Sequence, residues 1–195
     1  MSRLPSSGFL KLALVTIAMV SHAAFAAPVS FSGALSTSDN FFHRPFSLTE
    51  LSALGTHNAY DAYGFQVTAD GIYSIEATSF DSDDGDTFLA LYQGSFDAAA
   101  PLDNLLQFND DNGESLLSLI ALALQADTNY VLVFASYLPD TFGAYTGRFD
   151  MVSGGGQVLL DGVSEVPEPG TLALLPLAML GLALALARAR RRRNA

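Results

Sequence analysis

From Tyr60 to Val152 large apolar side chains recur at every second position, in short runs separated by turn residues. That period belongs to strands that bury one face and solvate the other. Tyr63, Phe65 and Val67 alternate with small or polar residues, Ala69-Asp70-Gly71 makes a turn, and Tyr73, Ile75 and Ala77 resume the alternation. The pair reads as a β-hairpin. Thr87 to Tyr92 is apolar on both faces and reads as a fully buried strand, stopped by Gln93-Gly94. Ile120, Leu122 and Leu124 are interleaved with Ala121 and Ala123; after a turn near Gln125 to Thr128, Tyr130, Leu132 and Phe134 continue the series. Val29 to Gly33 supplies a first strand and Gly143 to Val152 a last one. Many short strands with turns between them predict an all-β antiparallel sandwich over residues 27–160.

Two stretches leave the secondary structure open. Leu116 to Leu124 is apolar enough for a helix, and short apolar runs do not separate the two states. Ser47 to Leu54 starts on a capping serine with Glu50 three residues on, which predicts a short helical turn. Ser153-Gly154-Gly155-Gly156 breaks the last strand, and residues 161–166 form a polar linker.

The two ends have a different character. Arg3 and Lys11 precede an apolar stretch from Leu12 to Val20, and Ala24-Phe25-Ala26 follows as a small-x-small site. Residues 1–26 therefore read as an export signal, cleaved after Ala26. At the other end Val166, Pro167, Glu168 and Pro169 lead into an uncharged run from Leu172 to Ala187. As a helix that run spans roughly 24 Å, a little short of the hydrocarbon core, and the arginines behind it can snorkel to the headgroups. Arg188, Arg190, Arg191, Arg192 and Arg193 should stay cytoplasmic, leaving the preceding domain outside the inner membrane. The order of these parts resembles the PEP-CTERM sorting signal of exported bacterial proteins. The resemblance assigns residues 167–195 to sorting, with Val166 to Pro169 and Arg190 to Arg193 as the motif. It implies a transient inner-membrane anchor, cut by an exosortase-type enzyme to leave the product at the cell surface or outside the cell.

Charge narrows the partners of the middle domain. Of 9 basic and 20 acidic residues, two basic ones lie in the leader, and five arginines with Glu168 lie in the tail. Residues 27–166 keep 2 basic and 19 acidic side chains, a net of −17, and no lysine. Nucleic acid is excluded as a partner, because phosphates need Lys or Arg to neutralise them. Cations are the natural counterpart. There is no cysteine, so the domain is stabilised without disulfides and offers no thiol chemistry.

Acidity concentrates in two turns. Asp81-Ser82-Asp83-Asp84-Gly85-Asp86 places four carboxylates in six residues, and Asn109-Asp110-Asp111-Asn112-Gly113-Glu114 offers three carboxylates and two amides. Oxygen-rich loops of this kind suit Ca²⁺, with Asp83, Asp84, Asp86, Asp110 and Asp111 as candidate ligands. Neither loop is an EF-hand, since Tyr92 stands where the twelfth-position glutamate belongs. The competing reading is two solvated turns, which Asp and Asn also favour. Asp86 to Tyr92, Asn109 to Gly113, Ser118, Ile120, Thr128 to Val133 and Gly143 to Tyr145 together are similar to bacterial pre-peptidase C-terminal-like domains. That resemblance implies a jelly-roll-like sandwich, usually non-catalytic and sometimes calcium-binding.

Three functions remain. A non-enzymatic cell-surface or extracellular-matrix protein fits the tail and the absence of catalytic motifs. A calcium-dependent carbohydrate-binding module, with an extracellular polysaccharide as partner, would stack sugars on Tyr60, Tyr63, Tyr137 or Tyr145. A secreted hydrolase would need paired carboxylates; His43 and His57 read as packing or surface histidines, and there is no Gly-x-Ser-x-Gly or His-Glu-x-x-His.

Overall fold

The computed structural model describes residues 27–161, which form ten strands and no helix. The expected export signal, sorting motif (Val166 to Pro169, Arg190 to Arg193) and membrane segment lie outside the described residues. In chain order the strands are β1 (Val29–Leu35), β2 (Phe41–Phe42), β3 (Asn58–Val67), β4 (Gly71–Asp81), β5 (Thr87–Gln93), β6 (Leu105–Asn109), β7 (Leu119–Leu124), β8 (Tyr130–Ser136), β9 (Gly143–Ser153) and β10 (Val158–Leu160).

Two antiparallel sheets form a β-sandwich. One has the order β1-β9-β4-β7; the other runs β10-β3-β8-β5-β6, with β2 also against β3. Aromatic rings from both sheets meet in the middle. Phe65 of β3 lies 4.9 Å from Phe149 of β9, and Phe134 of β8 stacks on Tyr145 of β9 at 3.6 Å. Phe31 of β1 sits opposite Gly147 in the ladder, where a Cβ would fall on its ring.

The expected β3–β4 hairpin does not form. β3 and β4 lie in different sheets, and so do β7 and β8. Each turn is a crossing from one sheet to the other. The alternation is the same in both cases, because it records which face is buried and not which strand is the neighbour. Phe65 and Val67 point into the core from one side, Tyr73 and Ile75 from the other. The ambiguous stretch resolves as strand β7, paired with β4. Residues 47–54 are not helical: Phe46 N–H and Ser47 N–H both donate to the Glu50 carbonyl, and Pro45 bridges Leu51. The Ser47 hydroxyl is occupied by Thr49, so no capping box forms.

The outer faces of the two sheets differ. From Ala144 to Phe149 β9 alternates strictly, with Tyr145, Gly147 and Phe149 buried and Ala144, Thr146 and Arg148 exposed. β5 is buried on both sides, as its sequence predicts. Its Leu89 and Leu91 enter the central core, while Phe88, Ala90 and Tyr92 join Val133 and Ala135 of β8 in a second cluster behind the sheet. Phe42 and Phe96 cover that cluster, their rings 5.7 Å apart.

Candidate functional site

The two acidic turns meet at one end of the sandwich, and a pair of buried hydroxyls explains why. Thr87 opens β5, directly after Asp86, and Ser118 lies just before β7; both are completely buried. Their side chains are 2.8 Å apart, and Ser118 N–H donates to Thr87 Oγ1 at 2.7 Å. Thr87 N–H donates to the Leu116 carbonyl at 3.0 Å, and the Ser118 hydroxyl to the Asp110 carbonyl at 3.2 Å. Asn109 Oδ1 accepts from Leu119 N–H at 2.9 Å. The β4–β5 and β6–β7 turns are thereby stapled together.

Within this staple Asp86 has an unusual environment. Burial, then the carboxylates of Asp111, Asp84 and Asp110, push its pKa up to about 6, with the Arg44 guanidinium pulling the other way. Burial disfavours the charged form and nearby like charges add to the penalty. Asp86 Oδ1 is shielded from solvent and makes no hydrogen bond. Of the five expected ligands, Asp84, Asp110 and Asp111 are thus near enough to act on a fourth, Asp86.

Their individual roles differ. Asp84 Oδ1 accepts from the Ser82 hydroxyl at 3.1 Å and faces Asp86 N–H at 3.4 Å, so it shapes its own turn. Gly85 adopts φ +67° beside it, a conformation that glycine reaches without a Cβ penalty. Asp83 is exposed and is not among the groups that act on Asp86. Among the described residues no three His, Cys, Asp or Glu side chains form a group that could hold a metal ion.

Behind Asp86 lies a basic residue that the pattern of the sequence did not single out. Arg44 is 3% exposed. Its guanidinium carbon lies 4.0 Å from the Tyr137 ring centre and 5.3 Å from that of Phe88. Arg44 Nε donates to the Tyr137 carbonyl at 2.9 Å. Asn58 Nδ2 donates to the neighbouring Ser136 carbonyl at 2.9 Å, and Asn58 Oδ1 is buried without a partner. Tyr137 N–H in turn donates to the Asp86 carbonyl. Arg44, Asn58 and the start of β5 are therefore fixed to one stretch of backbone. The only sequence signal for Arg44 is its rarity in a lysine-free domain.

No family model matches this chain, and no curated protein matches it.

The tyrosines considered for sugar stacking are engaged in packing. Tyr145 is 1% exposed; its hydroxyl donates to Asp61 Oδ2 at 2.5 Å and lies 2.5 Å from that of Tyr63. Burial and those bonds push its pKa far up. Tyr60 packs edge-on against Phe42 and Phe96, and Tyr137 lies under Arg44. Neither Tyr145 nor Tyr60 offers an open platform, since strand tyrosines that complete an aromatic core gain more from burial than from exposure. His43 Nε2 lies 2.6 Å from the Ser52 carbonyl, and His57 stacks on Phe41 while its Nδ1 lies 2.9 Å from Asp140 Oδ1.

Proposed function

We propose that this chain is an exported, non-enzymatic protein of the cell surface or extracellular matrix, held briefly in the inner membrane by its tail and processed by an exosortase-type enzyme. One observation carries this reading: Val166-Pro167-Glu168-Pro169, the uncharged run from Leu172 to Ala187 and the arginine cluster follow one another in sorting order. The export-signal pattern of residues 1–26 agrees with it. The acidic middle domain supports it too, since net charge far from zero keeps an exported protein dispersed. Its strand order, β1-β9-β4-β7 facing β3-β8-β5-β6, supports a jelly-roll reading of the sandwich. Fractionation of expressing cells with mass measurement of the mature product tests the proposal. The expected product starts after Ala26, ends near Val166 and lies outside the inner membrane. A mature protein retaining Arg190 to Arg193, or an untrimmed chain in the cytosol, refutes it.

Asp86 favours a second reading, in which the stapled turns respond to calcium. A shielded carboxylate oxygen without a partner, beside Asp84, Asp110 and Asp111, would gain from a divalent cation. Binding would require the turns to draw closer than they are. Titration calorimetry with Ca²⁺ separates the two states: heat and a rise in melting temperature, both lost in Asp86→Asn, support it. No response at millimolar calcium leaves the turns as turns.

A further inference from the structure

The tip of the β6–β7 turn is closed on itself. Asn112 N–H donates to the Ser115 carbonyl at 3.0 Å and Ser115 N–H to the Asn112 carbonyl at 3.1 Å, which leaves Gly113 and Glu114 as the two central residues of a β-turn. Asn112, Gly113 and Glu114 are all exposed. Among the described residues neither the Asn112 side-chain amide nor the Gly113 N–H has a hydrogen-bond partner. Gly113 carries no side chain, and nothing lies within 4 Å of where a Cβ would stand, so approach to its nitrogen is open.

No other asparagine of the described residues combines these features. Asn58 is completely buried, with Nδ2 on the Ser136 carbonyl. Asn104 Nδ2 donates to the Ser95 carbonyl at 3.2 Å, Asn109 Oδ1 accepts from Leu119 N–H at 2.9 Å, and Asn129 Oδ1 accepts from Gln66 Nε2 at 2.6 Å. Asn40 is exposed, but the bulky residue after it, Phe41, is paired with Ala59 in a ladder. Asn112-Gly113 is also the only Asn-Gly pair in the chain. The Asp-Gly pair of the other acidic turn is pinned: Gly85 N–H donates to Ser82 Oγ at 3.0 Å, and Asp84 Oδ1 accepts from the Ser82 hydroxyl at 3.1 Å.

We propose that Asn112 is a site of spontaneous deamidation in the folded protein. Asparagine is among the thermolabile residues, and here both reacting atoms are free. The Gly113 nitrogen bonds to Asn112 Cγ, its proton passes to solvent, and Nδ2 leaves as ammonia. Water then opens the five-membered imide at either carbonyl and gives aspartate or isoaspartate, with no oxidant or reductant. Either product joins Asp110, Asp111 and Glu114 as a fourth carboxylate of this turn. Isoaspartate also reroutes the backbone through the side chain, and the carbonyl that accepts from Ser115 N–H becomes a free carboxylate.

Incubating the solubilised full chain in water enriched in heavy oxygen, with peptide mapping by mass spectrometry, tests this. Asn112 should convert at least an order of magnitude faster than Asn40 or Asn104, to a mixture of aspartate and isoaspartate that carries the heavy oxygen. A urea-unfolded sample should convert Asn112 at a similar rate, because folding leaves these atoms unprotected. Asn112→Gln, an exposed change, should abolish the early acidic shift in isoelectric focusing. Asn112 intact in the folded chain, aspartate without isoaspartate, faster conversion at another asparagine, or an acidic shift that survives Asn112→Gln would overturn the proposal.

Discussion

The two arginines of the domain, one on each sheet's outer side, have opposite surroundings. Arg148 lies on the solvent face of β9, half exposed, with Glu76 at 2.8 Å and Asp150 at 3.0 Å. Arg44 is buried behind the other sheet, against Phe88 and Tyr137, and its hydrogen bonds go to backbone carbonyls of Tyr137 and Pro45. Arg148 satisfies its charge where water screens it and adds little. Arg44 has lost that water and is retained by rings and carbonyls. One face of the sandwich is an ordinary polar surface. The other is a second core, sealed by Phe42, Phe96 and the loop that carries Arg44.

Four changes would break or sharpen this contrast. The largest effect belongs to Phe88→Ala: the ring is fully buried in the second cluster and stacks on Phe108, so denaturant unfolding should show a loss of about 3–5 kcal/mol. A loss below about 1 kcal/mol, as expected of exposed positions, would mean that the second cluster is a covering and not a core. Arg44→Ala removes charge-assisted bonds to two carbonyls together with the ring packing. It should cost about 2–4 kcal/mol, and Arg44→Lys should recover only part because lysine lacks the planar fork.

Asp86→Asn is expected to act in the stabilising direction. The folded-state pKa of Asp86 is raised from 3.8 to about 6, so the folded state binds more protons than the unfolded chain between those values. Wild-type stability at this site therefore falls as pH rises through that window. Asparagine should add about 1 kcal/mol at pH 7, allowing for solvent screening of a partly exposed group. The gain should vanish below pH 4; a gain equal at both pH values would assign it to something other than ionisation. Arg148→Ala should be the smallest, about 0.5 kcal/mol and weaker in high salt. A loss as large as that of Arg44→Ala would erase the distinction between the two faces.

The sequence made much of this legible. Strict alternation in β9 and double-sided apolarity in β5 marked a half-buried and a fully buried strand, because burial leaves its period in the residues themselves. The two acidic turns were also visible as composition. That they meet was not: Thr87 and Ser118 are small hydroxyl residues 31 positions apart, with nothing local to distinguish them from solvent-facing ones. Exposed Asp83 and half-buried Asp86 look equivalent in the sequence, and only the second is held against Arg44 and the other turn. The expected hairpin of β3 and β4 failed for a general reason. A turn of few residues between two alternating runs serves pairing and sheet-crossing equally well.

The residues alone determined the alternation of apolar positions along the strands, how acidic the domain is and the order of the segments at both ends, since each is a property of neighbours along the chain. Partnership was decided in three dimensions: which strands share a ladder, which arginine loses its water and which carboxylate is crowded. Those outcomes depend on groups far apart in the chain, and their energies arise only when folding removes the water between them.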